Sequence, residues 1–400
     1  MGMQLALPPS GTVLHELVKT TFYYTDSQMF KENPVVRGDY IELEVKRQGN
    51  LTKSISKAIE TAARRAEKLE HVASKGKPKT RFISLLPLRG KQENQSILTP
   101  WLRELKAKDI PEGLMNYSNR LKNMKDEEFV HTLSEFENGY TYDTGINGKL
   151  VGLPQVFRPE HYEFSRHLGQ GLRAGQEFKV NVGLHLLGLA VAGIVLSRVG
   201  RVWTQGRREA TLLLVTPAVL HVRSLRMFTS LRASHEEVIK KDIPGYMPEE
   251  AVNIWLGIHA GGLASLPQDL AYMKMIGIRE PGQSATLEFD KQYNVWDSAR
   301  MASRLDNRTV DDLRKVLSDA IYHQHGRTRD GGDKKILFAK TLYRTLVGAL
   351  PVHEFLYITN RDICSILSSG GKAEYWHYQL SRLSQRLAQV LDEEQAAPPI

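Results

Sequence analysis

Cysteine is almost absent from this chain: Cys364 is the only one among 400 residues. A single thiol excludes intrachain disulfides and cysteine-rich zinc modules, and it suits a reducing, cytoplasmic setting. Long hydrophobic runs are missing as well. The most apolar stretch, GLHLLGLAVAGIVL, lies in a run from Val182 to Leu196 that includes His185, Gly188 and Gly193. That run is shorter than the ~20 residues a membrane-spanning helix requires. It reads instead as a buried central helix near 178–198, whose Gly188, Ala192 and Gly193 let neighbouring elements approach closely. His185 is expected there as a hydrogen-bonded core histidine. The N-terminal stretch MGMQLALPPSGTVLHELVK lacks a basic segment followed by a long apolar core, so no secretory signal is expected.

Familiar catalytic motifs are also lacking. His-Glu pairs begin at His15, His235 and His353, but Lys19, Ile239 and Tyr357 stand four residues on, where a zinc-protease helix needs a second histidine. The stretch SSGGK (368–372) has neither the earlier glycine nor the following hydroxyl residue of a phosphate-binding loop, and GQGLRAG (169–175) has the wrong glycine spacing for a dinucleotide turn. There is no Gly-x-Ser-x-Gly elbow. A metal site on His323 and His325 would need Asp330 or Asp333 folded back onto them. We therefore expect a non-catalytic chain with no cofactor and no metal.

What the sequence does have is unevenly placed positive charge. The net charge is +9 and the isoelectric point about 9.3, a balance that points towards polyanionic partners. From Lys46 to Lys91 there are thirteen Lys and Arg against three acids, a surplus of ten that exceeds the charge of the whole chain. Flexible cations in such a segment can neutralise successive phosphates and release their counterions. Lys53, Lys57, Arg64, Arg65, Lys68, Lys75, Lys77, Lys79 and Arg81 are the expected phosphate contacts. A second patch, RVGRVWTQGRR, places Arg198, Arg201, Arg207 and Arg208 around Trp203. A third, HGRTRDGGDKK, holds Arg327, Arg329, Lys334 and Lys335. No finger or other base-reading signature appears; Gln92, Asn94 and Gln95 are candidates because paired amide hydrogen bonds suit adenine edges.

Periodicity outlines an α+β chain. DYIELEVKRQG (39–49) alternates as a strand does. In SISKAIETAARRAEKLEHVA (54–73), Ile55, Ile59, Ala62, Ala66, Leu69 and Ala73 share one helical face, which leaves Lys57, Arg64, Arg65 and Lys68 towards solvent. FISLLPL reads as a short strand, 99–138 as helical, and NGYTYDTGINGKLVGLPQ as hairpin or loop. ATLLLVTPAVLHV (210–222) suits interior strands interrupted at Pro217, and 249–278 reads as helical. From about 305 onward helical periodicity dominates. Trp376, Leu380, Leu383 and Leu387 form a heptad-like seam that could serve either its own bundle or a partner helix. Three regions follow: a mixed, basic nucleic-acid-binding domain over 1–150, a central domain with the buried helix and strands over 151–300, and a C-terminal helical bundle over 301–400.

This order of parts resembles the large subunit of type I CRISPR effector complexes (Cascade). The local likeness lies in LFAKTLYRTLVGALPVHEFLYITNRDI (337–363): a helix, a Gly-x-x-Pro break and a second helix ending in arginine. The resemblance implies a non-catalytic subunit of an RNA-guided antiviral complex. Such a subunit contacts guide RNA and other effector-complex subunits, inspects DNA beside the target for a short flanking signal, and presents a surface to a helicase-nuclease. Two other readings stay open: a metal-dependent nuclease using His323 and His325, and an assembly protein whose charge only promotes solubility.

Overall fold

The computed structural model describes residues 2–8, 10–25, 29–32, 34–73, 98–133, 135–137, 140–142, 151–152, 181–203, 210–218, 243–244, 249–259, 267–279, 286–321 and 331–396. It is an α+β protein. Three antiparallel strands open it: β1 (Gly2–Ala6), β2 (Val35–Arg37) and β3 (Tyr40–Glu44), in spatial order β1-β3-β2. On β3 the expected alternation holds, with Ile41 and Leu43 facing the core. Helix α1 (Val13–Tyr23) lies between β1 and β2 in sequence and is buried along its whole length.

Helix α2 (Asn50–Ala73) carries the expected apolar face: Ile55, Ile59, Ala62 and Ala66 are fully buried. It begins four residues before the periodicity does. The reason lies 75 positions away, where the Asp126 carboxylate accepts the N–H groups of Gly49, Leu51 and Thr52 and the Thr52 hydroxyl. A distant side chain thus satisfies helix donors that the local sequence leaves open. Helices α3 (Leu98–Glu104), α4 (Ile110–Lys122) and α5 (Asp126–Thr132) fill the stretch expected to be helical. Its end does not follow: β4 (Glu135–Glu137) pairs with β5 (Tyr140–Tyr142) as a hairpin, leaving Asn138 and Gly139 between them. Another short pair joins β6 (Val151–Gly152) to β7 (Asn181–Val182).

The opening apolar run forms α6 (Leu184–Ser197), and all its residues are buried. Its glycines mark close approaches. A Cβ on Gly193 would lie 2.0 Å from the Leu17 carbonyl oxygen on α1, and one on Gly188 would lie 2.4 Å from the Tyr117 ring on α4. His185 is buried, as expected; its Nδ1 is 3.3 Å from the Tyr117 hydroxyl and its ring meets Phe129 edge-on. Burial pushes this imidazole down to about 4. Among the described residues no helix is long and apolar enough to cross a membrane.

A five-stranded sheet stands in the middle of the molecule, built from β8 (Arg198–Trp203), β9 (Ala210–Pro217), β10 (Ile243–Pro244), β11 (Tyr272–Arg279) and β12 (Thr286–Asn294) in the order β10-β8-β9-β11-β12. Its two faces serve two cores. Leu212, Leu214, Ile276 and Ile278 join the core of α1, α2, α4 and α6. Leu213, Val215, Met273 and Met275 face the other way, into a helical core. This second core is formed by α7 (Glu249–His259), α8 (Trp296–Arg304), α9 (Asn307–Ile321), α10 (Gly332–Leu346), α11 (Val352–Ser368) and α12 (Tyr375–Ala396).

The helix expected over 249–278 is corrected here. It ends at His259, and 272–279 is the strand β11. A strand covered on both faces is apolar at successive positions, so its pattern does not separate it from a buried helix. The helix-break-helix of 337–363 is present. Gly348, at φ +74°, and Pro351, which precedes the first residue of α11, turn α10 into α11.

Candidate functional site

Around the first turns of α2 the exposed surface is cationic. Lys46 and Arg47 end the strand-like approach to the helix, and Lys53 and Lys57 follow one turn apart along it; all four are exposed. Lys31 joins them because its segment pairs with the end of β3: the Lys31 N–H donates to the Glu44 carbonyl and the Lys46 N–H to the Met29 carbonyl. Lys125, also exposed, precedes the Asp126 that caps the helix. None of these six cations has a carboxylate partner among the described residues. Glu32, Glu44 and Glu128 are exposed in the same segments. Further along α2 the charge is offset. Arg64 is exposed but lies 3.8 Å from Glu60, and Glu60 is also held by Lys122. The Lys122 hydrogen bond keeps the Glu60 carboxyl below the usual range. Glu67 is exposed two turns beyond Glu60.

Several expected phosphate contacts are corrected by burial. Arg65 faces inward and donates from Nη2 to the Arg198 carbonyl at 2.7 Å, which clasps α2 to β8. Arg198 is itself buried. Arg65 turns inward because it stands three positions after buried Ala62 and next to buried Ala66, at the border of the apolar stripe. Lys335 is buried too, paired with Asp319 at 2.6 Å. Lys334 is half-buried and paired with Asp362. Lys68 falls on α2 and Arg201 on β8. Lys75, Lys77, Lys79, Arg81, Gln92, Asn94, Gln95, Arg207, Arg208, Arg327, Arg329, His323 and His325 lie outside the described residues, as does the strand expected in FISLLPL.

Of the two uses open to the heptad-like seam, its own bundle or a partner helix, the structure shows the first. Leu380, Leu383 and Leu387 are buried in the helical core, and Trp376 packs over Gly331, where a Cβ would lie 2.5 Å from the indole. Beside it a cleft between α10, α11 and α12 is lined by Phe338, Ile363 and Leu380 and by the Lys334–Asp362 pair.

Sequence reasoning missed a charged clasp between α1 and the central sheet. Lys19 Nζ lies 2.7 Å from Glu16, and Lys274 Nζ lies 3.2 Å from Glu16 and 2.8 Å from Asp290. Burial alone would raise the Glu16 carboxyl, but the two lysines outweigh it and hold it below the usual range. Burial and the Glu16 charge raise Asp290 despite its bond to Lys274. The same corner holds the end of β9: Lys19 donates to the Ala218 carbonyl and Tyr23 to the Pro217 carbonyl. No local signal announces this cluster, because its members lie up to 274 positions apart.

An exposed group of cations of this kind has the charge that a polyanion contact requires. Among the described residues no three His, Cys, Asp or Glu side chains are grouped to hold a metal ion, whereas unpaired cations at the head of a helix can follow a phosphate backbone. Comparison with known families places the chain among proteins of CRISPR systems. Residues 44–363, about four-fifths of its length, match the family described as CRISPR-associated protein, CsaX. The chain belongs to the CsaX family of CRISPR-associated proteins. No curated protein matches it.

Proposed function

We propose that this chain is the non-catalytic large subunit of an RNA-guided DNA surveillance complex. Family membership gives it a role in a CRISPR system. The observation that carries the finer reading is the group of exposed cations at the head of α2, Lys46, Arg47, Lys53 and Lys57, which have no carboxylate partner among the described residues. In a guide-directed complex, base pairing reads the target sequence, while protein needs to hold phosphate geometry and inspect a short flanking signal. A rigid helix presenting lysines on one face suits the phosphate part of that work. The remaining partners in this reading are guide RNA, duplex and single-stranded DNA, neighbouring subunits and a helicase-nuclease recruited to the assembled complex.

Affinity purification from the native host, followed by sequencing of bound RNA, tests the assignment. A uniform population of guide RNAs is the expected result. Isolation without RNA, or metal-dependent nucleic-acid cleavage by the purified chain that His323→Ala abolishes, would overturn it.

A further inference from the structure

The outer face of α12 differs in composition from the seam it buries. Tyr375, Tyr378, Arg382, Gln385 and Gln389 recur at spacings of three, four, three and four, and all five are exposed. They form one continuous stripe. Tyr375 is 82% exposed and Tyr378 46%. Exposed Lys372 stands in the turn just before the helix. No Asp or Glu occurs between Tyr375 and Leu391. The acid just before them, Glu374, accepts the Trp376 indole N–H at 2.7 Å. Neither Lys372 nor Arg382 has a carboxylate partner among the described residues.

We propose that this stripe binds single-stranded nucleic acid, with bases stacked on Tyr375 and Tyr378 and phosphates held by Arg382 and Lys372. The composition selects this occupant over a protein helix. A helix seated in a groove needs aliphatic anchors at successive turns, and the stripe has none. Aromatic faces beside cations instead suit bases and the chain that links them. Both rings project from neighbouring positions about 4.5 Å apart along the helix axis, so one short strand can reach both. The stripe lies beyond residues 44–363, the part matched to the family, and the inference rests on the reading that this chain handles nucleic acid.

Binding of the full chain to three fluorescent 12-mers separates stacking from charge: oligothymidylate, oligouridylate, and an abasic strand with the same number of phosphates. The wild type should prefer both base-bearing strands over the abasic one by about tenfold per engaged tyrosine. Tyr375→Ala with Tyr378→Ala should remove that preference without changing the thermal midpoint, and Tyr375→Trp with Tyr378→Trp should retain it. Equal binding of base-bearing and abasic strands by the wild type, or an alanine variant that keeps the preference, overturns the proposal. Duplex DNA measured in parallel separates the two readings. Salt-sensitive duplex binding without a base preference removes only this inference, whereas no binding to any nucleic acid removes the proposed function as well.

Discussion

On one side of the central sheet α1, α2 and α6 meet through partners far apart in the chain, while on the other α7 to α12 pack largely in chain order. The first side depends on buried polar ties. Thr21 donates to the Leu189 carbonyl across 168 positions, Tyr24 to the Leu196 carbonyl across 172, and Arg65 to the Arg198 carbonyl across 133. On the helical side the ties are shorter: Ser298 to Asn253 spans 45 positions, Asn360 to Ser384 24, and Arg386 to Thr309 77. The surfaces differ as well. Unpaired lysines and Arg47 mark the first side, and exposed tyrosines mark the last two helices. The contrast teaches that apolar pattern suffices to assemble the helical side, whereas specific long-range polar contacts fix the other.

The largest expected effect breaks the first side alone. Gly193→Val would drive a side chain into the Leu17 carbonyl. Because backbone rather than a flexible side-chain tip is in the way, the cost should be about 3 kcal/mol or more, seen as a lowered urea midpoint or failure to fold. Next comes Leu387→Ala in the helical core, at about 2–5 kcal/mol. Asp126→Ala, which removes the acceptor of the Gly49, Leu51 and Thr52 N–H groups at the start of α2, should cost about 2 kcal/mol. By contrast Arg386→Ala, on the helical side, should stay within about 0.5 kcal/mol. A helical side as sensitive to loss of its polar ties as the first side would remove the distinction.

Acid should challenge both sides together. Burial holds His185 on the first side at about 4 and His259 on the helical side at about 3. Each imidazole is neutral when folded but takes a proton when unfolded below about 6.5. Their effect on stability is therefore absent above that value and grows as pH falls through the window from 6.5 towards 4. His185 alone should contribute a loss of ~3 kcal/mol by pH 4. Melting His185→Gln beside the wild type across this window checks the sign: the variant should lose stability less steeply than the wild type.

Legibility followed the same division. Helical repeats and the Gly-x-x-Pro break announced α9 to α12, since each amphipathic helix records its burial in its own sequence. The buried α6 was legible from its glycines and length. Strand β11 was not, because core residues on both its faces erase the alternation. The early start of α2, the inward turn of Arg65 and the Glu16–Lys19–Lys274–Asp290 clasp were hidden for one reason. Each depends on a partner that only the fold brings near. Charge counting pointed to the segment around α2, but it does not separate Lys46 and Arg47, which are exposed and without a carboxylate partner among the described residues, from Arg65, which is buried.

The most direct measurement of the central claim is the salt dependence of nucleic-acid binding by wild type and by the quadruple variant Lys46→Glu, Arg47→Glu, Lys53→Glu and Lys57→Glu. All four positions are exposed, so the thermal midpoint should hold. The slope of log affinity against log salt should fall in magnitude by about 3–4. An unchanged slope and affinity in a folded variant would contradict the account.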